Sequence, residues 1–299
     1  MTTPPEQALE VIHERYGRHP GRRALHAKGV ICSATWTATP EAKRLTRAAH
    51  MQGEPVRTYA RFSNGGGDPN VPDYAPDVRG LAVSFELPDG SRTDISSQTL
   101  PRFPFKDQEG FIAALRVSKP SLKSLLRMPA FAVRYPGALP QMPNAQKLMA
   151  SMAGFASRRY YAFHAYKWVD AEGGERFVRY TWVPTVDEPA PSHSEAKKRG
   201  PNFLFDDLAA HLEREPVRMQ LELQIAAEND DPDDPSNVWP DDRERVIAGT
   251  LEVTAIDAGG DDSTVIDPMR VTEGIEPSND PVLHYRPKVY DRSHGLRAG

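Results

Sequence analysis

The sequence predicts an α+β fold in which an antiparallel β-barrel carries helices on its outside. Stretches rich in β-branched and aromatic residues recur on both sides of one long helical segment, and another helical segment closes the chain. Strands, a helical insert, further strands and a final helix, in that order, suit an antiparallel barrel. A closed barrel can use 299 residues for a single core, so we expect one domain.

The first third of the chain changes from a helical to a strand-like pattern. Leu9, Ile12 and Tyr16 recur at helical spacing and predict a short surface helix within 5–17. The stretches that then read as strands are 24–37, 56–63 and 80–87. A Pro-Asp-Gly-Ser sequence follows Leu87 and predicts a hairpin turn.

The remainder repeats this character after a helical excursion. Residues 110–152 have helical spacing, although several prolines must divide them. The later elements are a hairpin of 160–169 and 176–183, a helix at 203–214, and strands at 217–226 and 246–256. The expected divisions of the single domain are an arm (1–20), a first barrel half (21–110), a helical insert (111–158), a second barrel half (159–256) and a C-terminal segment (257–299).

Composition limits the classes of partner. The net charge of −4, from 37 basic and 41 acidic residues, offers no large positive field for nucleic acid. No apolar run approaches the length needed to cross a bilayer, and the start lacks the basic-then-apolar order of a signal peptide. We therefore expect a cytoplasmic protein with neither a nucleic-acid nor a membrane partner. The acidic loop 228–242 lacks the glycine and closing glutamate of a calcium loop, so a solvated linker is favoured.

Two segments at opposite ends of the chain indicate a function. Residues 23–29 read RALHAKG, and residues 286–297 read RPKVYDRSHGLR. Together they resemble the distal and proximal haem motifs of the catalases, and the resemblance extends in order from about residue 21 to 299. It implies a closed barrel of about eight strands and a C-terminal helix that ligates haem b. The single Cys32 and the absence of a C-x-x-C-H sequence exclude covalent haem attachment, so any haem is held by shape, charge and one axial bond.

The resemblance assigns three catalytic residues on the distal side. His26 would act as the general acid-base, and its unperturbed pKa near 6.5 suits both halves of a proton transfer. Ser63 would orient the imidazole through a hydrogen bond. Gln98 occupies the position of the distal asparagine, and its extra methylene would move the amide that binds peroxide. Since a catalase must place a second peroxide closely, this change predicts weak catalase turnover.

On the proximal side, the resemblance implies that Tyr290 is the axial ligand of a ferric iron, since catalase haem is ligated by tyrosine. Arg286 precedes it by four residues, which places both on one helix face and favours the phenolate. Pro287 between them is expected to kink this helix. The other residues expected to contact haem are Arg23, Arg61 and Arg297 at the propionates and Phe111 on the distal side, where packing between helices is an equal alternative for Phe111.

These assignments favour a small catalase-related haem peroxidase. The chain lacks the long arm and the following helical domain of ordinary catalases, so we expect a shorter or wider entrance to the haem. The predicted reaction is reduction of hydrogen peroxide or organic hydroperoxides by a small organic reductant, with a homodimer as the expected assembly. Two alternatives stay open: a fatty-acid hydroperoxide isomerase of the allene oxide synthase type, disfavoured because Leu25 replaces its characteristic threonine, and a non-catalytic haem-binding protein, which would not require His26.

Overall fold

Eight antiparallel strands form a closed barrel. In the computed structural model, which describes residues 2–118, 121–257 and 265–298, neighbouring strands pair in the order β4-β3-β2-β1-β8-β7-β6-β5. The strands are β1 (Gly29–Ala38), β2 (Val56–Asn64), β3 (Arg79–Glu86), β4 (Arg92–Gln98), β5 (Tyr160–Val169), β6 (Glu175–Pro184), β7 (Val217–Ile225) and β8 (Arg245–Ile256). A pairing of Gln98 with Tyr161 closes the barrel, and the short β9 (Ile275–Pro277) adds to β5. The predicted fold class is confirmed.

Helices accompany the barrel at its ends and between its halves. In the described residues they are α1 (Pro5–Tyr16), α2 (Pro40–Leu45), α3 (Gln108–Ser118), α4 (Leu122–Arg134), α5 (Met142–Met149), α6 (His193–Arg199), α7 (Phe203–Leu212) and α8 (Pro281–Ala298). Pro287 lies inside α8 without ending it. Within the same ranges no helix combines the length and the apolar character that a bilayer span requires.

The interior of the barrel follows from strand alternation. Successive side chains of a strand point to opposite faces, and in β1 the buried positions are Cys32, Ala34, Trp36 and Ala38. Trp36 makes edge contacts with Phe85 and Trp182 at centroid distances of 5.6 and 5.8 Å. Such edge-to-face packing is favourable for aromatic rings. The inward face of the barrel is therefore a filled core rather than a ligand cavity.

A second apolar cluster joins the two ends of the chain. Ile12 of α1 and Ile112 of α3 are buried together in it, and Leu25, Phe111 and Val289 pack against this cluster. Leu25 directly precedes His26, and Val289 directly precedes Tyr290. Hydrophobic packing thus brings the N-terminal and C-terminal motifs to the same side of the barrel.

The predicted strand over 24–37 begins only at Gly29. His26 has φ of 54°, the left-handed region, which a strand does not accommodate. The backbone N–H of His26 instead donates to the carbonyl of Gly65 at 3.0 Å. The prediction was wrong for residues 24–28 because their apolar pattern reflects packing of a loop rather than a strand.

Candidate functional site

Four adjacent strands align small and polar residues on the outer face of the barrel. Gly29 of β1 pairs with Ser63 of β2, Ser63 with Gly80 of β3, and Gly80 with Gln98 of β4. The next positions inward along β2 and β3, Phe62 and Leu81, are fully buried in the barrel core. Alternation therefore turns the row of Ser63 and Gln98 outward. A parallel row two residues away consists of Arg61, Ala82 and Ser96.

His26 lies directly against this row. Its Nδ1 is 2.9 Å from the hydroxyl oxygen of Ser63. A Cβ added at Gly80 would approach the imidazole and the Ser63 hydroxyl to 2.8 Å. Gly80 is therefore the residue that lets the ring lie on the strand surface. Since Nδ1 is bonded to Ser63, Nε2 is the ring nitrogen that can exchange a proton with a ligand.

The surroundings of His26 strongly favour the neutral imidazole. Burial lowers its pKa, and the positive charges of Arg61, Arg286 and Arg23 lower it further, to about 3. The unperturbed pKa near 6.5 therefore does not apply to this buried ring. The sequence could not indicate this because two of the three cations come from distant parts of the chain. At neutral pH the ring is therefore uncharged, and its Nε2 carries a lone pair.

Arg61 and Arg23 place cationic charge beside the imidazole. Arg61 is buried, and its Nη2 donates to the carbonyl oxygen of His26 at 3.1 Å. The guanidinium of Arg61 lies over Gly29, so a Cβ added at Gly29 would be only 2.6 Å from the Arg61 Cζ atom. Arg23 is half-buried and contributes to the charge around His26. Two guanidinium groups near the imidazole suit the binding of carboxylates.

Arg286 and Tyr290 lie one helical turn apart on α8. The Nε and Nη2 atoms of Arg286 donate to the phenolic oxygen of Tyr290 at 2.9 and 2.5 Å. Nη2 also donates to the Ser96 hydroxyl at 2.8 Å, and this hydrogen bond connects α8 to the outer face of β4. Burial alone would lower the pKa of Arg286, but the nearby phenol of Tyr290 outweighs it and the pKa is raised. The guanidinium is therefore charged.

Two residues that sequence analysis missed complete this arrangement. The Nη1 of Arg286 lies 2.9 Å from Nε2 of His164, and Nδ1 of His164 donates to the carboxylate of Asp280. Asp280 also accepts the backbone N–H of Val282 at 2.7 Å at the start of α8. Hydrogen bonds thus connect four side chains in series, in the order Asp280, His164, Arg286 and Tyr290. Because His164 donates through Nδ1, its Nε2 is the acceptor for Arg286.

Burial is the main influence on His164. It lowers the pKa of the imidazole to about 4, although Asp280 opposes this effect. An Asp-Pro pair at the predicted start of a helix could have drawn attention to Asp280 as a cap. His164 lies where the pairing of β5 with β6 shifts register, between Ala162 and Ala165. A single sequence carries no signal for that irregularity.

Of the three remaining predicted site residues, the structure describes the surroundings of Gln98 and Phe111. The amide of Gln98 is bonded on both sides to the backbone of Leu100, with the N–H₂ donating and the carbonyl accepting at 3.0 Å each. It is therefore not held ready for a ligand. The ring of Phe111 lies 5.5 Å from that of Phe103 and packs against the second apolar cluster, as in the packing alternative. The Arg297 side chain lies outside the described part of the chain.

Comparisons with known proteins give one consistent result. The sequence model of the catalase family matches residues 8–299. A protein named catalase-related peroxidase from Mycolicibacterium paratuberculosis is 45% identical over 301 residues, which cover 99% of this chain and 95% of its own. One of the same name from Synechococcus elongatus is 32% identical over 299 residues, covering 98% and 88%.

Solved structures share the fold. A bacterial catalase superposes with a TM-score of 0.82 at 23% identity, over 94% of this chain and 58% of its own. Catalase A from Saccharomyces cerevisiae gives 0.81 at 21% identity, over 94% and 62%. The chain thus spans about three fifths of the length of those two proteins.

Proposed function

Because the chain belongs to the catalase family, we propose that it is a haem b-dependent peroxidase that reduces hydrogen peroxide or organic hydroperoxides with a small organic reductant. Its relatives indicate an oxidoreductase that acts on peroxide, and haem is expected for the family. The observation that carries the proposal is the pairing of two hydrogen-bonded groups on one outer face: His26 with Ser63, and Tyr290 with Arg286. Cytoplasmic location and a homodimer stay predictions.

The residues present fit a haem. Tyr290 offers a phenolic oxygen that is held in place by two N–H donors of one guanidinium, and tyrosine is the residue that ligates haem iron in catalase. Arg23, Arg61 and Arg297 would pair with the two propionates. The outer face of the strands has room for a flat ring because three of its positions, Gly29, Gly80 and Ala82, have a small side chain or none. A bound haem supplies a redox-active iron.

His26 would move the proton that peroxide cleavage requires. With a pKa of about 3, the imidazole is neutral and can accept a proton at Nε2 from the near oxygen of a hydroperoxide. The same low pKa makes return of that proton to the far oxygen favourable, so that oxygen leaves as water or an alcohol. Ser63 would hold the ring through Nδ1 and prevent its rotation. Ser63 is therefore a positioning residue in this proposal.

Gln98 supports peroxidase rather than catalase turnover. Catalase turnover requires a second peroxide to be held while it is oxidised, and an amide is the group assigned to that task. The Gln98 amide is bonded to Leu100 on both sides, so holding a peroxide would cost those two hydrogen bonds. An organic reductant that delivers electrons without occupying this position avoids that cost.

The test compares three reactions of the purified, haem-loaded protein. We expect hydrogen peroxide and cumene hydroperoxide to drive oxidation of a phenolic donor, with little oxygen release. The variant His26→Ala should retain haem and lose donor oxidation by about 10²-fold or more. Oxygen release at the rate of a full catalase without donor oxidation would overturn the proposal. Consumption of a fatty-acid hydroperoxide without any donor would instead favour the isomerase.

A further inference from the structure

Helix α4 exposes an apolar face that the proposed reaction does not use. Leu122, Leu125, Leu126 and Val133 are 73, 69, 73 and 83% exposed. Their spacing of three, four and eleven residues puts them on one side of the helix. Of the ten large hydrophobic side chains exposed in the described residues, seven lie between 122 and 142. Monomeric proteins rarely expose a contiguous apolar patch without a partner.

The charged side chains of α4 and of the chain on either side of it are all basic, although the whole protein has a net charge of −4. Residues 110–169 include no Asp or Glu. Their nine basic residues are Arg116, Lys119, Lys123, Arg127, Arg134, Lys147, Arg158, Arg159 and Lys167. On α4 the exposed Lys123, Arg127 and Arg134 are spaced by four and seven residues, so they form one flank beside the leucines.

The opposite side of α4 contacts the protein. Ser124 is buried, and its hydroxyl donates to the carbonyl of Arg116 at 3.2 Å. Phe131 is half-buried, with its ring 6.1 Å from that of Phe105. The helix therefore packs through its polar and aromatic side and presents its leucines outward. This orientation is the reverse of an ordinary surface helix, whose apolar face lies on the core.

Aromatic contacts connect α4 to the candidate site. Phe105 contacts both Phe131 and Tyr135, the latter at 5.6 Å. Phe103 contacts Phe105 at 6.3 Å and Phe111 at 5.5 Å. Both Phe103 and Phe105 follow Gln98 within seven residues, on the loop that leaves β4. The exposed face is thus joined to the distal side of the site by packed rings.

We propose that α4 docks this protein on an anionic lipid surface. Its leucines would enter the boundary between headgroups and acyl chains, and Lys123, Arg127 and Arg134 would pair with lipid phosphates. An exposed apolar face with a basic flank is the composition of helices that lie in a membrane interface. Such docking would differ from the expectation of no membrane partner, which stays a prediction. Given the proposed peroxidase function, on which this last step rests, docking would bring lipid hydroperoxides to the site.

Charge distinguishes this occupant from a second copy of the chain. In a twofold contact the same patch meets itself, so Lys123, Arg127 and Arg134 of one copy would face those of the other. Like charges directly opposed in an interface are unfavourable. An anionic bilayer complements both the apolar face and the cations.

The first experiment measures docking without activity. Haem-loaded protein is sedimented with vesicles of phosphatidylglycerol and phosphatidylcholine, and with phosphatidylcholine alone. We expect binding to the anionic vesicles at least about tenfold tighter, and weakened by about 0.5 M salt. The double variants Leu125→Gln/Leu126→Gln and Lys123→Glu/Arg127→Glu should each weaken binding at least about tenfold. Matched controls are Val238→Gln, 44% exposed, and the exposed Arg44→Glu, which should bind like the parent.

The outcomes separate docking from the proposed function. Absence of binding to anionic vesicles, or binding unaffected by both α4 variants, would overturn the proposal. The proposal would also be overturned if the parent protein did not bind vesicles and the leucine variant lost a dimer that the parent forms. A second copy of the chain would then be the occupant of the α4 face. If docking holds while donor oxidation is absent, only the peroxidase function fails. If both hold, the α4 variants should slow reduction of a phospholipid hydroperoxide in anionic vesicles at least about fivefold and leave the hydrogen peroxide reaction unchanged.

Discussion

Arg286 donates two hydrogen bonds to the phenolic oxygen of Tyr290, one turn further along the same helix. The same guanidinium also bonds to Ser96 of the barrel and lies within hydrogen-bond distance of His164. Arg286 therefore fixes the position of the Tyr290 phenol relative to the barrel. A planar guanidinium can hold several acceptors in fixed directions, which an ammonium cannot.

We expect Arg286→Leu to weaken haem binding at least tenfold, or about 1.4 kcal/mol. The variant removes both donors to Tyr290, and hydrogen bonds to charged groups contribute about 1.5–3 kcal/mol each. Arg286→Lys should be intermediate because lysine retains the charge but not the fork. Titration with haem, followed by its Soret absorbance, measures the effect. Arg292→Lys on the exposed side of α8 is the control, and equal affinities for all the proteins would contradict the assigned role of Arg286.

Gly80→Ala should impair the reaction of His26 with little change to the rest of the barrel. The added Cβ would meet the imidazole and the Ser63 hydroxyl at 2.8 Å, so the ring must move away from its partner. We expect donor oxidation to fall at least about tenfold and the free energy of unfolding to fall by about 1–3 kcal/mol. Stopped-flow mixing with peroxide and urea unfolding give the two values. Gly137→Ala, where no atom lies within 4 Å of the added Cβ, is the matched control.

His50 should make the protein less stable as the pH falls. Burial lowers its pKa in the folded state to about 3, while the unfolded value is near 6.5. The stability that depends on neutral His50 is therefore complete above pH 6.5 and is lost as the pH decreases toward 3, by up to about 1.4 kcal/mol per unit. His50→Leu should flatten this dependence. Urea unfolding of both proteins between about pH 7 and 4.5 tests it, and parallel curves would refute the prediction.

Gln98→Asn should raise oxygen release relative to donor oxidation. The shorter side chain cannot reach Leu100 in the same way, so its amide becomes available to a peroxide. We expect the ratio of oxygen release to donor oxidation to increase at least about fivefold. An oxygen electrode and a dye assay on the same sample measure both rates. Gln224→Asn, at a half-buried residue whose amide donates to the carbonyl of Pro240, should leave the ratio unchanged. An unaltered ratio in Gln98→Asn would show that Gln98 does not limit oxygen release.

The local pattern of residue types along the chain was sufficient to predict most strands of the barrel. Their content of β-branched and aromatic residues predicted β2 and β3 to within one residue, because such side chains favour the extended backbone of a strand. The order of elements then predicted the antiparallel architecture. The same reasoning failed at residues 24–28, where apolar neighbours pack a loop and His26 takes a left-handed conformation. Pattern alone cannot distinguish those two causes of burial.

The sequence by itself also identified Arg286 and Tyr290 as a pair, since a spacing of four places two residues on one helix face wherever the helix lies. Only the folded chain decided the environment of each group. His164 and Asp280 are 116 residues apart and meet because β5 bulges beside the start of α8. The low pKa of His26 and the bonds of Gln98 to Leu100 likewise depend on burial and on neighbours in space. Electrostatic environment and hydrogen-bond partners are properties of three-dimensional distance, which the order of residues along the chain does not specify.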